Sequence, residues 1–244
     1  MKPFVITILL SSSLLLMGCN DEKNEQVIHF GIAAEYPPFE YQKGNQLKGF
    51  DVDLANLIAA HLGKKAEFDN MQFSTILPAL SSGKVDAAIS TITITKERSN
   101  NFDFSNPYYF EEMATVFRNE SPVLDLKHLK DKKTACQLGS TMEIWLKNHI
   151  PGENIVSLDN NNQAIEALKA GHVEAVLMDA PQAALFSQKN PRLLYAIIAH
   201  SEDGYGIALK KGSPLSAKIN RALNTLKANG KLEELKNKWL VGVK

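Results

Sequence analysis

Apolar residues in this chain fall into short blocks that alternate between two spacings. Residues 27–33 form a compact apolar run and predict a strand. The Tyr36-Pro37-Pro38-Phe39 segment cannot extend it, because consecutive prolines remove ladder donors. Residues 50–62 place Leu54, Leu57, Ile58 and Leu62 on one helical stripe, and Gly63 stops it. A short strand follows at 65–68. A helix over 74–82 has Ser74 as its predicted cap and Gly83 as its stop, and a strand covers 85–93. Thr95 is the predicted cap of a further short helix opened by Lys96, Glu97 and Arg98. The second half repeats this style. It has strands at 134–137, 173–178 and 205–209, and helices after Thr141, over 160–170 and over 180–188. Ser213-Pro214 begins a helix in the favoured cap-then-proline order, Asn229-Gly230 ends it, and a last helix holds Trp239. Strand–helix–strand alternation predicts α/β architecture with parallel sheets, and two similar halves predict two lobes.

Before residue 27 the pattern changes. Lys2 precedes a Leu-rich run over 4–17, broken by Thr7 and Ser11 to Ser13. A run of that length reads as a secretory signal over 1–18 rather than a membrane span. Leu16-Met17-Gly18-Cys19 resembles a bacterial lipobox, in which Cys19 is lipidated and becomes the mature N-terminus. Residues 19–26 are polar and aperiodic and read as a lipidated tether.

Composition narrows the function. The chain has 244 residues, 44% of them apolar, which is enough for one or two sizeable cores. Lys plus Arg equals Asp plus Glu at 27 each, so neither a nucleic-acid footprint nor a polybasic membrane surface is present. With Cys19 lipidated, Cys136 has no disulfide partner, and its strand-like setting predicts a buried, inert thiol. No phosphate loop, Gly-x-Ser-x-Gly, Cys-x-x-Cys or His-Glu-x-x-His motif occurs, and the six His residues are scattered. No cofactor or metal is expected.

The densest polar chemistry lies in the run Ser90 to Arg98. If the strand alternates, Thr91, Thr93 and Thr95 share one face and end beside a helix start with free N–H groups. Arg98 adds a planar fork suited to a carboxylate. These residues describe a carboxylate clamp equally as well as a polar sheet edge with a capping Thr and a surface Arg.

Several motifs occur together and in order: Tyr36-Pro37-Pro38-Phe39, the 49–54 Gly-Phe-Asp-Val-Asp-Leu run, Phe73 with Pro78-Ala79-Leu80, Thr91 to Arg98, Phe104-Ser105 with Pro107-Tyr108-Tyr109, Gly139-Ser140-Thr141, and Asp179. In this the chain resembles the solute-binding proteins of polar-amino-acid ABC importers, from about residue 27 to 239. The resemblance implies a type II periplasmic-binding-protein clamshell with two interlobe crossings. Lobe 1 would hold residues 27–111 and 205–244, lobe 2 would hold 115–202, and the hinge would lie at 112–114 and 203–204. It implies that Arg98 clamps a ligand α-carboxylate with Thr93 and the backbone at Thr91. Ser140 and Thr141 would reach the amino-acid head from the other lobe, Asp179 would accept the α-ammonium, and Tyr36 and Phe73 would sandwich the side chain. Ser90 and Gln137 join this expected set. Many relatives carry an acid where this chain has Ala33, so Glu35, Glu111 and Met142 are further candidate side-chain readers.

Two aromatic faces favour a cation, which puts arginine or another basic amino acid first and glutamine or histidine next. The expected partners are an L-amino acid and an ABC permease, for a monomer held at a periplasmic membrane face of a Gram-negative bacterium by its lipid alone. A cyclohexadienyl-dehydratase-like lyase and a non-transport sensor lipoprotein are the alternatives on the same fold, and no enzyme activity is expected.

Overall fold

The computed structural model describes residues 26–240. The expected signal segment, Cys19 and nearly all of the tether lie outside the described residues.

In chain order the first lobe contributes β1 (Val27–Ile32), a small antiparallel meander of β2 (Glu35–Tyr36), β3 (Glu40–Lys43) and β4 (Gln46–Lys48), then α1 (Phe50–His61), β5 (Lys65–Asn70), α2 (Phe73–Ser82), β6 (Ala87–Ala88), α3 (Lys96–Asn101) and β7 (Phe102–Phe104). β8 (Tyr109–Arg118) carries the chain into the second lobe. That lobe contains α4 (Leu126–Leu129), β9 (Thr134–Gln137), α5 (Thr141–His149), β10 (Ile155–Leu158), α6 (Asn161–Lys169), β11 (Ala175–Asp179) and α7 (Ala180–Lys189). β12 (Leu193–Tyr205) returns to the first lobe, which ends with β13 (Ala208–Lys210), α8 (Leu215–Ala228) and α9 (Lys231–Trp239).

Among the described residues each lobe has a five-stranded sheet, ordered β5-β1-β6-β13-β7 in the first and β10-β9-β11-β8-β12 in the second. The sheets are mixed rather than fully parallel. β1 runs parallel to β5 and β6, but β13 is antiparallel to β6 and β7. β8 is antiparallel to β11 and β12. The reversed strand is β13 in the first sheet and β8, which carries the chain between lobes, in the second.

Helical spacing on α1 buries Leu54 and Ile58 against Phe30, Phe39 and Phe50, with Ile219 and Leu223 of α8 in the same core. Each such fully buried aliphatic side chain contributes about 1.5–3 kcal/mol over exposure. The opposite face of that sheet packs Ile76 and Leu80 of α2 on Val85, Ala88 and Ile92. Gly49 precedes α1 at φ 132°, and a Cβ there would fall 2.0 Å from the Phe39 carbonyl oxygen, so only glycine fits.

Three local expectations change. α2 starts at Phe73, with Gln72 rather than Ser74 at the cap position. The strand expected over 85–93 is regular only at Ala87 and Ala88. Beyond it Thr91 takes φ 47°, which ends the expected alternation of Thr91, Thr93 and Thr95. The cause is the buried Asp51 carboxylate, whose Oδ2 accepts the Thr91 N–H at 2.9 Å.

The long strands β8 and β12 pair from Leu193↔Arg118 to Tyr205↔Tyr109, with register shifts at Ile197/Ala199 and His200/Gly204. Residues 112–114 lie inside β8 and residues 203–204 inside β12. Gly204 is packed so closely that a Cβ would meet Pro107 Cβ and the Tyr109 oxygen at 2.7 Å. At the far end Tyr205 bridges Thr93 and joins the first-lobe core with Phe39 and Tyr108.

Candidate functional site in the interlobe cleft

The lobes meet across a nearly closed cleft with about 20 Å³ of free volume, lined from the first lobe by Tyr36, Phe73, Thr91 and Arg98, and from the second by Gln137, Ser140, Thr141, Met142, Asn161 and Asp179. Glu111, at the start of β8, also lines it. Nearly all the residues expected from sequence therefore converge here. Ser90, Thr93 and Glu35 do not line the cleft, although Thr93 borders it through Arg98, Glu111 and Thr141. Ser90 is fully buried behind it, donating from Oγ to Glu40 at 2.7 Å and accepting the Ala33 N–H. Glu35 is exposed on β2 because alternation places it opposite in sense to the buried Tyr36.

Arg98 sits on α3, whose first turn is capped by Thr95 Oγ1 accepting the Arg98 N–H at 3.1 Å. Its guanidinium donates from Nη1 to the Thr93 carbonyl at 2.8 Å and from Nη2 to the Gly139 carbonyl at 3.1 Å. The second bond crosses between lobes. Burial lowers its pKa, while Glu111 and Glu97 raise it. Thr93 Oγ1 donates to Glu111 Oε1 at 2.8 Å and stands 3.3 Å from Thr141 Oγ1 of the facing lobe. Thr95 caps the helix as expected, which takes its hydroxyl off the clamp face.

From the second lobe, Ser140 caps α5 by accepting the Glu143 N–H and donates to the Gln137 carbonyl at 2.6 Å. Its hydroxyl is thus committed to the turn that presents Thr141. Asp179 occupies the cap position of α7, yet its side chain makes no cap bond. It turns into the cleft, where the Tyr36 hydroxyl of the first lobe donates to its Oδ2. Further interlobe bonds run from Gln72 to Asp159 at 3.1 Å and from Asn162 to the Glu35 carbonyl at 3.5 Å.

The cleft is strongly acidic for its size. Asp179 is raised by burial, while the neighbouring Glu111, Tyr36 and Tyr205 pull it back. Glu111 is pushed up to about 10 by burial and by Asp179, so the two carboxyls retain a proton between them. The Tyr36 phenol is raised by burial and by Asp179. Sequence reasoning missed Asn161, buried at the first turn of α6 with its amide donating to Gln182. It also missed the support behind the clamp, where Asp51 holds Thr91 and accepts the Tyr108 hydroxyl at 3.0 Å. Beside it Glu40 is raised by burial and Asp51, and Asp51 is itself raised by burial to about 7. Cys136 is buried in β9, which pushes its thiol up to about 12.

Residues 28–242 match the family described as bacterial extracellular solute-binding proteins, family 3. The chain belongs to that family. The arginine-binding extracellular protein ArtP of Bacillus subtilis is 34% identical over 228 residues, spanning 91% of this chain and 89% of its own. Among solved structures, an ancestral arginine-binding protein bound to arginine superposes with a TM-score of 0.84 at 38% identity, covering 88% of this chain and 98% of its own. The ancestral protein bound to glutamine gives 0.83 at 40%, with the same coverage.

Proposed function

We propose that this chain binds a polar L-amino acid in the cleft, arginine or another basic amino acid first, and presents it to an ABC permease. The observation that carries this reading is the placement of a cation and an anion on opposite lobes of one cleft. Arg98 sits on the first lobe beside Thr91 and Thr93, and Asp179 sits on the second beside Thr141. A zwitterion supplies the complement of each, and a charge buried without its complement is unfavourable by several kcal/mol. Binding therefore favours the arrangement in which the lobes meet, which shifts an opening equilibrium toward closure. β8 and β12 form the hinge in this reading, since both run from one sheet into the other lobe.

Tyr36 and Phe73 supply the faces for a cationic side chain. The relatives bound to arginine support that order. The ancestral relative bound to glutamine, together with the neutral Gln137 and Met142 in this cleft, keeps glutamine second. A lyase reading has one favouring observation, the buried Glu111 carboxyl in the cleft, whose raised pKa suits a general acid. Turnover of prephenate or arogenate would establish it.

The anchor belongs to the same reading: Cys19 carries lipid, and the monomer is held at a periplasmic membrane face. Labelled palmitate incorporated by the wild type and lost in Cys19→Ser tests it. A thermal-shift screen of residues 20–244 against the L-amino acids, with Arg98→Ala alongside, tests the ligand. Ligand at a thousand times its Kd adds about 4 kcal/mol. A shift with arginine that vanishes in Arg98→Ala is expected; no shift with any amino acid refutes the function.

A further inference from the structure

The cleft holds two acids where a ligand ammonium requires one. Asp179 stands opposite Met113 in the β11–β8 ladder. Glu111 lies two residues before Met113 in β8, so it shares that face as the diagonal neighbour of Asp179. Glu111 is 3% exposed and Asp179 4%. One oxygen of each is satisfied, by the Thr93 and Tyr36 hydroxyls respectively. Glu111 Oε2 and Asp179 Oδ1 have no partner, and both residues line the cleft. The groups facing the pair are Tyr36 from β2, Glu40 from β3, Tyr109 from β8, Tyr205 from β12 and Arg98 from α3. Arg98 is the cation among them. Two buried carboxylates side by side cannot both stay charged beside so little positive charge, and one proton is retained between them.

We propose that Glu111 and Asp179 form a single ammonium site that exchanges its shared proton for the ligand's cation. The inference rests on the amino-acid-binding reading and adds Glu111 as a determinant of it. When the ammonium enters, the shared proton leaves to solvent. Both carboxylates then flank the ligand, and the site's net charge is conserved. Affinity consequently rises with pH, at most about tenfold per unit for one proton released.

The test is calorimetry of residues 20–244 with L-arginine, and with L-glutamine as a second zwitterion, at pH 7 in phosphate and in Tris. Those buffers differ in ionisation enthalpy, so the difference in heat counts protons. About one proton released per ligand is expected, together with an affinity that rises between pH 5.5 and 8. In Glu111→Gln, binding persists more weakly, proton release falls toward zero, and the pH slope flattens. A melting curve shows that this variant is folded. Buffer-independent heats in the wild type overturn the exchange while leaving amino-acid binding intact, and so does undiminished release in Glu111→Gln. No heat with either amino acid overturns the binding reading and the exchange together.

Discussion

Asp179→Asn separates ligand binding from folding more cleanly than any other single change in the cleft. The substitution keeps the shape of the side chain, and the Tyr36 hydroxyl can still donate to the remaining carbonyl oxygen. It removes the one charged acceptor that the second lobe offers to a ligand ammonium. Deleting one partner of a buried ion pair costs about 3–5 kcal/mol, which corresponds to about 150- to 5,000-fold in Kd. The empty protein should respond differently. Its buried carboxyl is already raised by burial, and one oxygen has no partner. Neutralising it removes an unfavourable charge, so the melting temperature without ligand should hold or rise. Titration calorimetry with L-arginine and thermal melting of the same samples measure the two effects. A loss of affinity below tenfold would show that the ammonium does not sit on Asp179. A melting temperature lowered by more than about 5 °C, roughly 1–3 kcal/mol for a chain of this size, would make Asp179 a folding element instead.

Three further outcomes are expected. Without ligand, thermal stability falls as pH rises from 5 to 8. An acid whose folded pKa is raised, such as Asp51 at about 7 or Glu111 at about 10, stabilises the fold only below its unfolded value and loses that contribution on the way up. Glu143, raised by burial but held low by Lys147 and the Gly139 N–H, and the half-buried Glu174, held low by Lys132, act in the opposite sense only at lower pH; a melting temperature flat or rising from pH 5 to 8 would refute the raised pair. Arg98→Lys keeps the charge but loses the two-pronged contact to the Thr93 and Gly139 carbonyls, and should weaken L-arginine binding at least tenfold by calorimetry. Gly49→Ala introduces a strained φ worth about 1–3 kcal/mol before any clash with Phe39, and should lower the melting temperature by at least about 2 °C.

The regular elements were legible because their signals are local. The stripe of Leu54 and Ile58, the cap at Thr95 and the stop at Gly83 each rest on residues within a turn or two. The cleft was legible through ordered motifs, which placed Tyr36, Arg98, Thr141 and Asp179 together before any geometry was known. What escaped were features set by distant partners. Thr91 reads as one more strand residue, and only Asp51, forty positions earlier, draws its N–H out of the ladder. Ser90 reads as part of the clamp, yet Glu40 and Ala33 draw it behind the cleft. β8 and β12 show no clean alternation, because they leave one sheet, pass the interlobe junction and enter another core. Glu111 is legible only as a candidate reader of the ligand side chain, and its place beside Asp179 comes from the β8–β11 register.

The bond from Asp51 to the Thr91 N–H has a consequence for how this cleft can change over time. It fixes the backbone of the clamp from within the first-lobe core, so the loop's conformational entropy is surrendered during folding rather than at each encounter with ligand. Gln137 and Met142 reach the cleft from the other lobe and are not tied into that core. Substitutions there can alter which side chain is accepted while the grip on the common amino-acid head persists. A rigid half and an adjustable half on separate folding cores give such a binder room to drift from one amino acid to another without passing through an unfolded or non-binding form.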